Sequence, residues 1–337
     1  MRRWFKEYSA GQVCLLAEPY RSDVWRKNGE PAQARIKQLQ QSISQFQPCS
    51  ILPSTIGYDD IWLRDTLPLW HTIETCPEAA DWRGWQPRFN GWGGVQSAYD
   101  KDATLATRLF KERVISQSFW VAENGTFSHN GEWLLIGFNS IKSRNPQLNE
   151  SQLKRLLADT FEPLKPIFIE TQLVADETGG HIDNLVLFVN DNTVIYSATN
   201  EPQHPDFVAC QQLEKQLQEL PDSINKIALP LPSPQPSRYF ERCNITHSSG
   251  SLARTTELPL LCSYVNCIVL NQALIVPQYD LPEDQQVLER LQKAVPDTRM
   301  IPFNARELVL GGGGLHCVSY QLPLALAPLV NADVPCA

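Results

Sequence analysis

Short strand-like runs paired across tight turns alternate with amphipathic helices along this chain. In the clearest case, residues 127–128 and 133–138 flank Asn130 and Gly131, a dipeptide that favours hairpin turns. Two more hairpins are predicted, one from residues 185–189 and 193–197 and one from residues 267–270 and 273–277. Hairpins pair strands antiparallel, whereas helical crossovers pair them parallel. The alternation therefore predicts an α/β fold with mixed sheets rather than a purely parallel, doubly wound sheet.

Apolar residues spaced three and four apart predict five helices. Ile36, Leu39 and Ile43 form such a stripe behind Pro31, a residue that suits the first helical turn. Asn149 is a candidate N-cap for another helix. The predicted helices cover residues 31–47, 102–114, 150–161, 208–220 and 284–294.

The chain is 337 residues long, and single hydrophobic cores usually stop growing at about 250–300 residues. Two domains or one modular fold are therefore expected. Polar or glycine-rich turns recur beside the strands and suggest five modules; they lie at residues 62–65, 124–125, 179–180, 263–266 and 311–314. Residues 233–237 form a predicted surface loop, and no stretch has the composition of an interdomain linker.

Composition narrows the class of protein. Residues 1–14 lack the apolar run of a signal peptide, and no segment suggests a membrane span. Nine cysteines without a C-x-x-C pair argue against a disulfide framework or a zinc knuckle and favour a reducing, cytoplasmic location. The net charge of −8 offers no basic surface for nucleic acid. It would favour cationic small molecules, although solubility alone accounts for it as well.

A run of four glycines, Gly311 to Gly314, precedes Cys317. The apolar residues 308–310 and the segment 315–320 are both predicted to be strands, so the glycines would form the turn that presents the cysteine. A phosphate-binding loop is disfavoured because no Gly-Lys-Ser/Thr follows. Free cysteines are commonly buried hydrophobes. The glycine run nevertheless makes Cys317 the candidate nucleophile, which would need a nearby base.

The segment ETGGHIDNLVLFV, residues 177–189, supplies a candidate base in His181. On the predicted strand, His181 and Asp183 would share one face. The pair fits a proton shuttle beside a cation holder, two metal ligands or a buried structural pair. No third ligand stands at a recognisable spacing, which weakens the metal interpretation.

The segment YDDIWLRDTLPLW, residues 58–70, places Asp59, Asp60, Arg64 and Asp65 around Trp62 in an apolar stretch. Charges embedded in this way must be paired or functional. For Arg64 the sequence favours a structural ion pair with a carboxylate.

Four separated motifs resemble the agmatine deiminase family, relatives of the microbial peptidylarginine deiminases within the guanidino-group-modifying superfamily. They are WLRDTLP, the segment AENGTFSHNGEW with SRNP, ETGGHID and GGGGLHCVSYQLP, and they occur in the family's order. The segments VWRKNGEPAQ and SYVNCIVLNQALIVPQYD resemble the agmatine deiminase branch in particular. RFNGWGG, which contains Trp92, also matches.

The resemblance implies a fold and a set of site residues. The fold is a pseudo-fivefold α/β propeller of the pentein type, with residues 1–337 as one catalytic domain of five modules with outer helices. Cys317 would be the nucleophile and His181 the general acid and base, without metal or cofactor. Asp65 and Asp183 would bind the guanidinium, and Glu177 would complete the site. Trp62, Trp92 and Gly314 would also contact substrate.

The implied reaction converts agmatine to N-carbamoylputrescine and ammonia, a step toward putrescine and other polyamines. Gly179 stands where agmatine deiminases commonly have aspartate. Free or peptidyl arginine is therefore an alternative substrate, with Arg254 or Arg144 as partners for a carboxylate or peptide. An inactive guanidine-binding propeller, a cysteine protease and an amidinotransferase are further alternatives. Neither nucleic acid nor membrane is an expected partner, and a homodimer is left open.

Overall fold

A computed structural model describes residues 2–73, 81–246 and 248–330 of the chain. In this described part, strands form five separate sheets. The strands are β1 (Arg3–Trp4), β2 (Gln12–Ala17), β3 (Cys49–Leu52), β4 (Leu69–Thr72), β5 (Arg83–Arg88), β6 (Val114–Val121), β7 (Phe127–His129), β8 (Trp133–Gly137), β9 (Lys165–Ile169), β10 (Val186–Asn190), β11 (Thr193–Ala198), β12 (Asn225–Pro230), β13 (Ile268–Val269), β14 (Ala273–Gln278), β15 (Arg299–Asn304) and β16 (Tyr320–Pro323).

Helices of two kinds join these strands. Long amphipathic helices cross between strands of a sheet, and four of the short helices contribute residues to the pocket described below. The helices are α1 (Glu30–Ile43), α2 (Leu63–Thr66), α3 (Gly91–Gly94), α4 (Asp100–Phe110), α5 (Phe138–Arg144), α6 (Glu150–Phe161), α7 (Phe207–Gln216), α8 (Glu283–Ala294), α9 (Arg306–Leu310), α10 (Leu315–Val318) and α11 (Ala327–Val330).

The same plan recurs in every sheet. An antiparallel pair is extended by a third strand that runs parallel to the second and follows a helical crossover. For example, β7 and β8 form a hairpin with Phe127 opposite Ile136, and β9 returns beside β8 with Lys165 opposite Trp133. The parallel strand must follow a crossover because a tight turn can only reverse the chain. The sheets are therefore mixed, as predicted.

The sheet of β16, β2 and β3 joins the two ends of the described chain. Tyr320 in β16 lies opposite Leu15 in β2, and the strands are antiparallel. On the other side of β2, Cys14 lies opposite Cys49 in the parallel β3. Cys317 precedes β16 by only a few residues. This pairing therefore anchors the segment that contains it.

The three predicted hairpins and the five predicted helices are confirmed, with small shifts at their ends. Three helices are shorter at the C-terminus than predicted, because their last turns tighten into short 3₁₀ helices or turns at residues 44–46, 111–113 and 217–219. Asn149 caps α6 as predicted. Its side chain accepts from Gln152 N, and the Gln152 side chain accepts from Asn149 N in a capping box.

Three strand predictions around the chemical segments were wrong. Residues 308–310 lie in helix α9, and residues 315–318 form helix α10 before the strand begins at Tyr320. His181 caps a 3₁₀ helix, Ile182–Asn184, so His181 and Asp183 do not share a strand face. Apolar runs of three to five residues do not distinguish a buried strand from a buried helical turn. Packing against the rest of the chain determines the conformation of these segments.

Seven cysteines in the described residues are free, including Cys317; Cys76 and Cys336 lie outside those residues. Among the described residues, no helix is both long and apolar enough to span a bilayer. Within the described part of the chain, buried apolar side chains form three clusters. The largest cluster includes Cys317, Trp62 and Trp92, so part of the pocket described below is built from core side chains.

Candidate active site

A pocket between the short helices brings the predicted site residues together. Its lining includes Trp62, Asp65, Trp92, Glu177, His181, Gly314 and Cys317. Asp183, the remaining predicted site residue, is fully buried beside the sulfur. Segments that are far apart in sequence therefore meet at one place, as the predicted chemistry requires.

Cys317 lies in helix α10 and is almost completely buried. Its Sγ is 3.5 Å from Oδ2 of Asp183 and 3.4 Å from Nδ2 of Asn266, which donates to the sulfur. Burial, reinforced by the negative charges of Asp183 and Asp65, raises the pKa of the Cys317 thiol well above its ordinary value. The thiol is therefore protonated in the empty pocket, and a bound cation would favour its ionisation.

The ring of His181 lies between two carboxylates. Nδ1 is 3.6 Å from Oδ1 of Asp65, and Nε2 is 3.4 Å from Oε2 of Glu123. Burial lowers the pKa of the ring, but the charges of Asp65 and Glu123 outweigh burial and raise it to about 9. His181 is consequently an imidazolium at neutral pH, a form that can donate a proton.

Asp65 lies in the short helix α2 and faces the pocket. Its Oδ2 accepts from Nε1 of Trp92 at 2.8 Å, and its Oδ1 accepts from Gly125 N at 3.0 Å. Burial raises the pKa of Asp65 to about 6, with a further rise from Asp183 and opposition from His181. The two donated hydrogen bonds fix the plane of the carboxylate.

Gly125 allows the backbone to approach this carboxylate. A Cβ atom at this position would lie 2.5 Å from Oδ1 of Asp65 and 2.8 Å from Nδ1 of His181. Such distances are well below van der Waals contact, so a side chain here would displace one or both groups. Glycine is thus required at residue 125 for the observed geometry.

A hydrogen bond from His316 fixes the carboxylate of Asp183. Oδ2 of Asp183 is 2.9 Å from Nδ1 of His316, while Oδ1 is buried and has no hydrogen-bond partner. Burial raises the pKa of Asp183, but the hydrogen bond and charge of His316 outweigh it and keep the pKa below its usual value. Asp183 is therefore ionised, with Oδ2 3.5 Å from the sulfur of Cys317 and Oδ1 without a partner. A buried acceptor of this kind requires a donor.

Glu177 lines the pocket, but its carboxylate is already bound. Nε of Arg254 is 3.0 Å from Oε1, and Nη2 is 2.6 Å from Oε2, in a bidentate pair. The Arg254 guanidinium in turn lies against Gly312, whose φ of +104° and lack of Cβ leave room for it. Glu177 was predicted to complete the substrate site. In this structure both of its oxygens accept hydrogen bonds from Arg254.

The two arginines considered as partners for a carboxylate or peptide differ in position. Arg254 lines the pocket, whereas Arg144 binds Oε1 of Glu123 at 2.6 Å and the Thr178 carbonyl at 2.9 Å. Arg242 lines the same wall as Arg254 and was not predicted.

Arg64 forms the predicted ion pair, with Glu7 as its partner at 2.8 Å.

Glu123, Asn266 and the pair Glu7–His316 were not assigned roles from the sequence. Glu123 lies in the AENGTF motif and Asn266 in SYVN, so both were within matching segments. Glu7 lies outside every matching motif. Only the folded chain brings it to His316. Among the described residues, no group of three or more His, Cys, Asp and Glu side chains is arranged to hold a metal ion.

The chain is similar to known deiminases along most of its length. The sequence profile of the Porphyromonas-type peptidyl-arginine deiminases matches residues 3–323. The agmatine deiminase of Pseudomonas aeruginosa (strain LESB58) is 29% identical over 351 aligned positions, which cover 94% of each chain.

Two solved structures are similar along nearly the whole chain. The agmatine deiminase of Enterococcus faecalis superposes with a TM-score of 0.86 at 24% identity and covers 96% of both chains. The C. jejuni agmatine deiminase with substrate bound superposes with a TM-score of 0.80 at 24% identity and the same coverage. At 24% identity, these superpositions show that the folds are similar and nothing further.

Proposed function

The chain belongs to the Porphyromonas-type peptidyl-arginine deiminase family, and on this premise we propose that it is an agmatine deiminase. It would hydrolyse a C–N bond of the agmatine guanidinium and release N-carbamoylputrescine and ammonia. The similarity to the Pseudomonas agmatine deiminase over 94% of both chains supports agmatine as the substrate. The product would enter putrescine and polyamine synthesis.

The observation that carries the proposal is the position of two carboxylates around the thiol. The unpaired Oδ1 of Asp183 and the carboxylate of Asp65 lie in a buried site with Cys317. A guanidinium is planar and offers N–H donors in pairs, which suit carboxylate acceptors. Binding between these acids would hold the central carbon near Sγ. The cation would also stabilise the thiolate, which offsets the high pKa of the empty site.

In the first half of the proposed reaction, the thiol proton leaves to solvent as the cation binds, and Sγ of Cys317 forms a bond to the guanidinium carbon. The resulting tetrahedral adduct is neutral. The imidazolium of His181 protonates one amino group of this adduct, and the C–N bond breaks to release ammonia. A cationic thiouronium remains attached to Cys317, and His181 is neutral.

In the second half, water attacks the thiouronium carbon while neutral His181 accepts one of its protons. The C–S bond then breaks, and the carbonyl of the ureido product forms as the second water proton leaves to solvent. Sulfur departs as the thiolate, and His181 is again an imidazolium. Glu123 and Asp65, which flank the ring, would stabilise that charged form.

We assign the fold to the pseudo-fivefold α/β propeller, with the whole chain as one catalytic domain of five modules. The recurring plan of the five sheets supports this assignment, as does the pairing of β16 with β2, which would close the ring. A cytoplasmic location is also proposed. The seven free cysteines of the described residues support it, since thiols persist in reducing compartments.

One observation favours a second candidate, a deiminase of free or peptidyl arginine. Arg254 neutralises Glu177, and Arg242 adds positive charge to the same wall of the pocket. A distal ammonium would meet less negative charge there, and a carboxylate or peptide carbonyl would meet donors. Arginine and arginyl peptides carry such groups, whereas agmatine ends in an amine.

A steady-state ammonia assay with agmatine, arginine and an arginyl peptide tests both candidates. Agmatine deiminase activity predicts the highest kcat/KM for agmatine and a covalent adduct at Cys317, detected by mass spectrometry after acid quenching. Highest kcat/KM for arginine or the peptide would favour the second candidate. Absence of ammonia release and of adduct with all three substrates would overturn both.

A further inference from the structure

Glu7 and His316 form a buried contact behind the proposed site. His316 is fully buried, and its ring lies between two carboxylates, with Nδ1 2.9 Å from Oδ2 of Asp183 and Nε2 2.9 Å from Oε2 of Glu7. An ionised carboxylate can only accept hydrogen bonds. Both ring nitrogens must therefore carry hydrogen, which makes His316 an imidazolium.

Arg64 completes a row of alternating charges. Its Nη1 donates to Oε1 of Glu7 at 2.8 Å, and its Nη2 donates to Gln321. Burial raises the pKa of Glu7, but Arg64 and His316 outweigh it and lower the pKa to about 2. Glu7 is therefore an anion throughout the useful pH range. The row of Arg64, Glu7, His316 and Asp183 ends 3.5 Å from the sulfur of Cys317.

Two consequences for Asp183 follow from this row. Because Oδ2 is bound to His316, only Oδ1 is left without a partner. In addition, the positive ring offsets the negative charge that Asp183 places beside the sulfur, and such a charge would otherwise oppose thiolate formation. We propose that His316, held as a cation by Glu7, is a positioning residue that directs Asp183 toward the guanidinium and offsets its charge beside Cys317.

This inference rests on the proposed reaction, and Glu7→Gln tests it with a nearly isosteric change. The groups that face His316 are Arg64, Glu7 and Asp183. Glu7 also faces His129, and Asp183 faces His181 and Cys317. Removing the charge of Glu7 leaves His316 with one anionic neighbour and with Arg64 nearby. The ring would then lose its proton at a lower pH than in the wild type.

The sign of the effect follows from that shift. As the pH falls, the ring of the variant regains its proton, so the difference in kcat between Glu7→Gln and wild type should narrow from pH 8 toward pH 6. At pH 8, the variant ring is neutral and kcat should be about 10-fold lower, a change of one pKa unit in the thiol being a tenfold change in thiolate. KM should change little, because Asp183 remains ionised.

The same variant is measured without substrate. Iodoacetamide alkylation of Cys317 is followed by peptide mass spectrometry between pH 6 and 9. The alkylation rate of Glu7→Gln should be lower than that of wild type, and the difference should grow as the pH rises. Glu170→Gln, which removes a partly exposed carboxylate bound to Lys154, is the control and should match wild type at every pH. Alkylation needs no turnover. It therefore tests the arrangement even if the proposed function is wrong.

Two substitutions of His316 separate its effect on the orientation of Asp183 from the effect of its positive charge on Cys317. His316→Asn keeps a donor near the position of Nδ1, so KM should be retained while kcat falls. His316→Gln keeps an amide near Glu7 and removes the donor to Asp183, so KM should rise as well. If Glu7→Gln lowered kcat and alkylation by the same factor at every pH, the contact would be structural only and the inference would be overturned. Unchanged kinetics and alkylation at pH 8 would overturn it too.

Discussion

The sulfur of Cys317 lies 3.5 Å from Oδ2 of Asp183, and the other oxygen of that carboxylate is buried without a hydrogen-bond partner. The thiol proposed as the nucleophile and a buried carboxylate with one unpaired oxygen are thus adjacent. This arrangement is unfavourable without a ligand. Burial and the charge of Asp183 raise the pKa of the thiol, and Oδ1 of Asp183 has no hydrogen-bond donor. A bound guanidinium would relieve both costs.

Cys317→Ser should abolish ammonia release from agmatine. The hydroxyl is a far weaker nucleophile than the thiolate, and loss of a nucleophile lowers kcat by at least about 1,000-fold. Ammonia release and intact-protein mass spectra of the acid-quenched reaction provide the measurement. Cys243→Ser, at a half-buried cysteine outside the pocket lining, is the control and should keep wild-type kcat.

Asp183→Asn should lower kcat/KM for agmatine on the order of 100–1,000-fold, because a buried charge pair with the guanidinium is lost. Thermal unfolding is measured alongside to separate lost binding from lost structure. The exposed Asp222→Asn is the control and should have no effect. A fall of less than 3-fold in a folded variant would argue against a role in binding the cation.

Glu123→Gln should move the alkaline limb of the kcat profile to lower pH. His181 must be protonated to release ammonia, and Glu123 is one of the carboxylates that raise its pKa to about 9. Removing this charge lowers that pKa, so activity is lost earlier as pH rises. The measurement is kcat from pH 6 to 10 at saturating agmatine, with the exposed Glu132→Gln as control. An alkaline limb at the wild-type position would contradict the assignment of His181.

Arg254→Gln should improve agmatine relative to arginine. The change frees Glu177 for the distal ammonium and removes positive charge from the wall of the pocket. We expect KM for agmatine to fall about 3–10-fold and KM for arginine to rise, in keeping with partly exposed charge pairs. Steady-state assays with both substrates check this. A parallel change in both KM values would show that Arg254 does not discriminate between them.

Gly125→Ala should reduce kcat/KM about 100-fold, the loss expected when reacting groups are displaced by about 1 Å. The added methyl would collide with Asp65 and His181. At Gly250 an added methyl makes only ordinary contacts, the nearest 3.5 Å from Cβ of Ala98, so Gly250→Ala is the matched control. Comparable activity in the two variants would mean that the close approach at residue 125 is unimportant.

The hairpins and long helices were predictable because local features specify them. Asn130-Gly131 marks a hairpin turn, and Asn149 with Gln152 caps α6, so neither depends on distant residues. The segments around Cys317 and His181 were misassigned as strands. Each is short, apolar and buried, so its conformation depends on packing against distant segments, which a local pattern does not contain.

The sequence predicted those site residues that lie in motifs that can be recognised individually. Cys317, His181, Asp65 and Asp183 each lie in such a motif, and the structure brings them together. The partners of these residues depend on contacts between distant segments. Glu7 reaches His316 across 309 residues of sequence, and Arg254 reaches Glu177 across 77. No spacing rule predicts such pairs.

The pairing of β16 with β2 has a consequence for biosynthesis. Cys317 is followed closely by β16, which docks against β2, a strand that is translated much earlier. During translation, one edge of β2 therefore stays unpaired until residues 320–323 have left the ribosome. We therefore expect nascent chains truncated before Tyr320 to be devoid of turnover, so that unfinished copies cannot consume cellular guanidines.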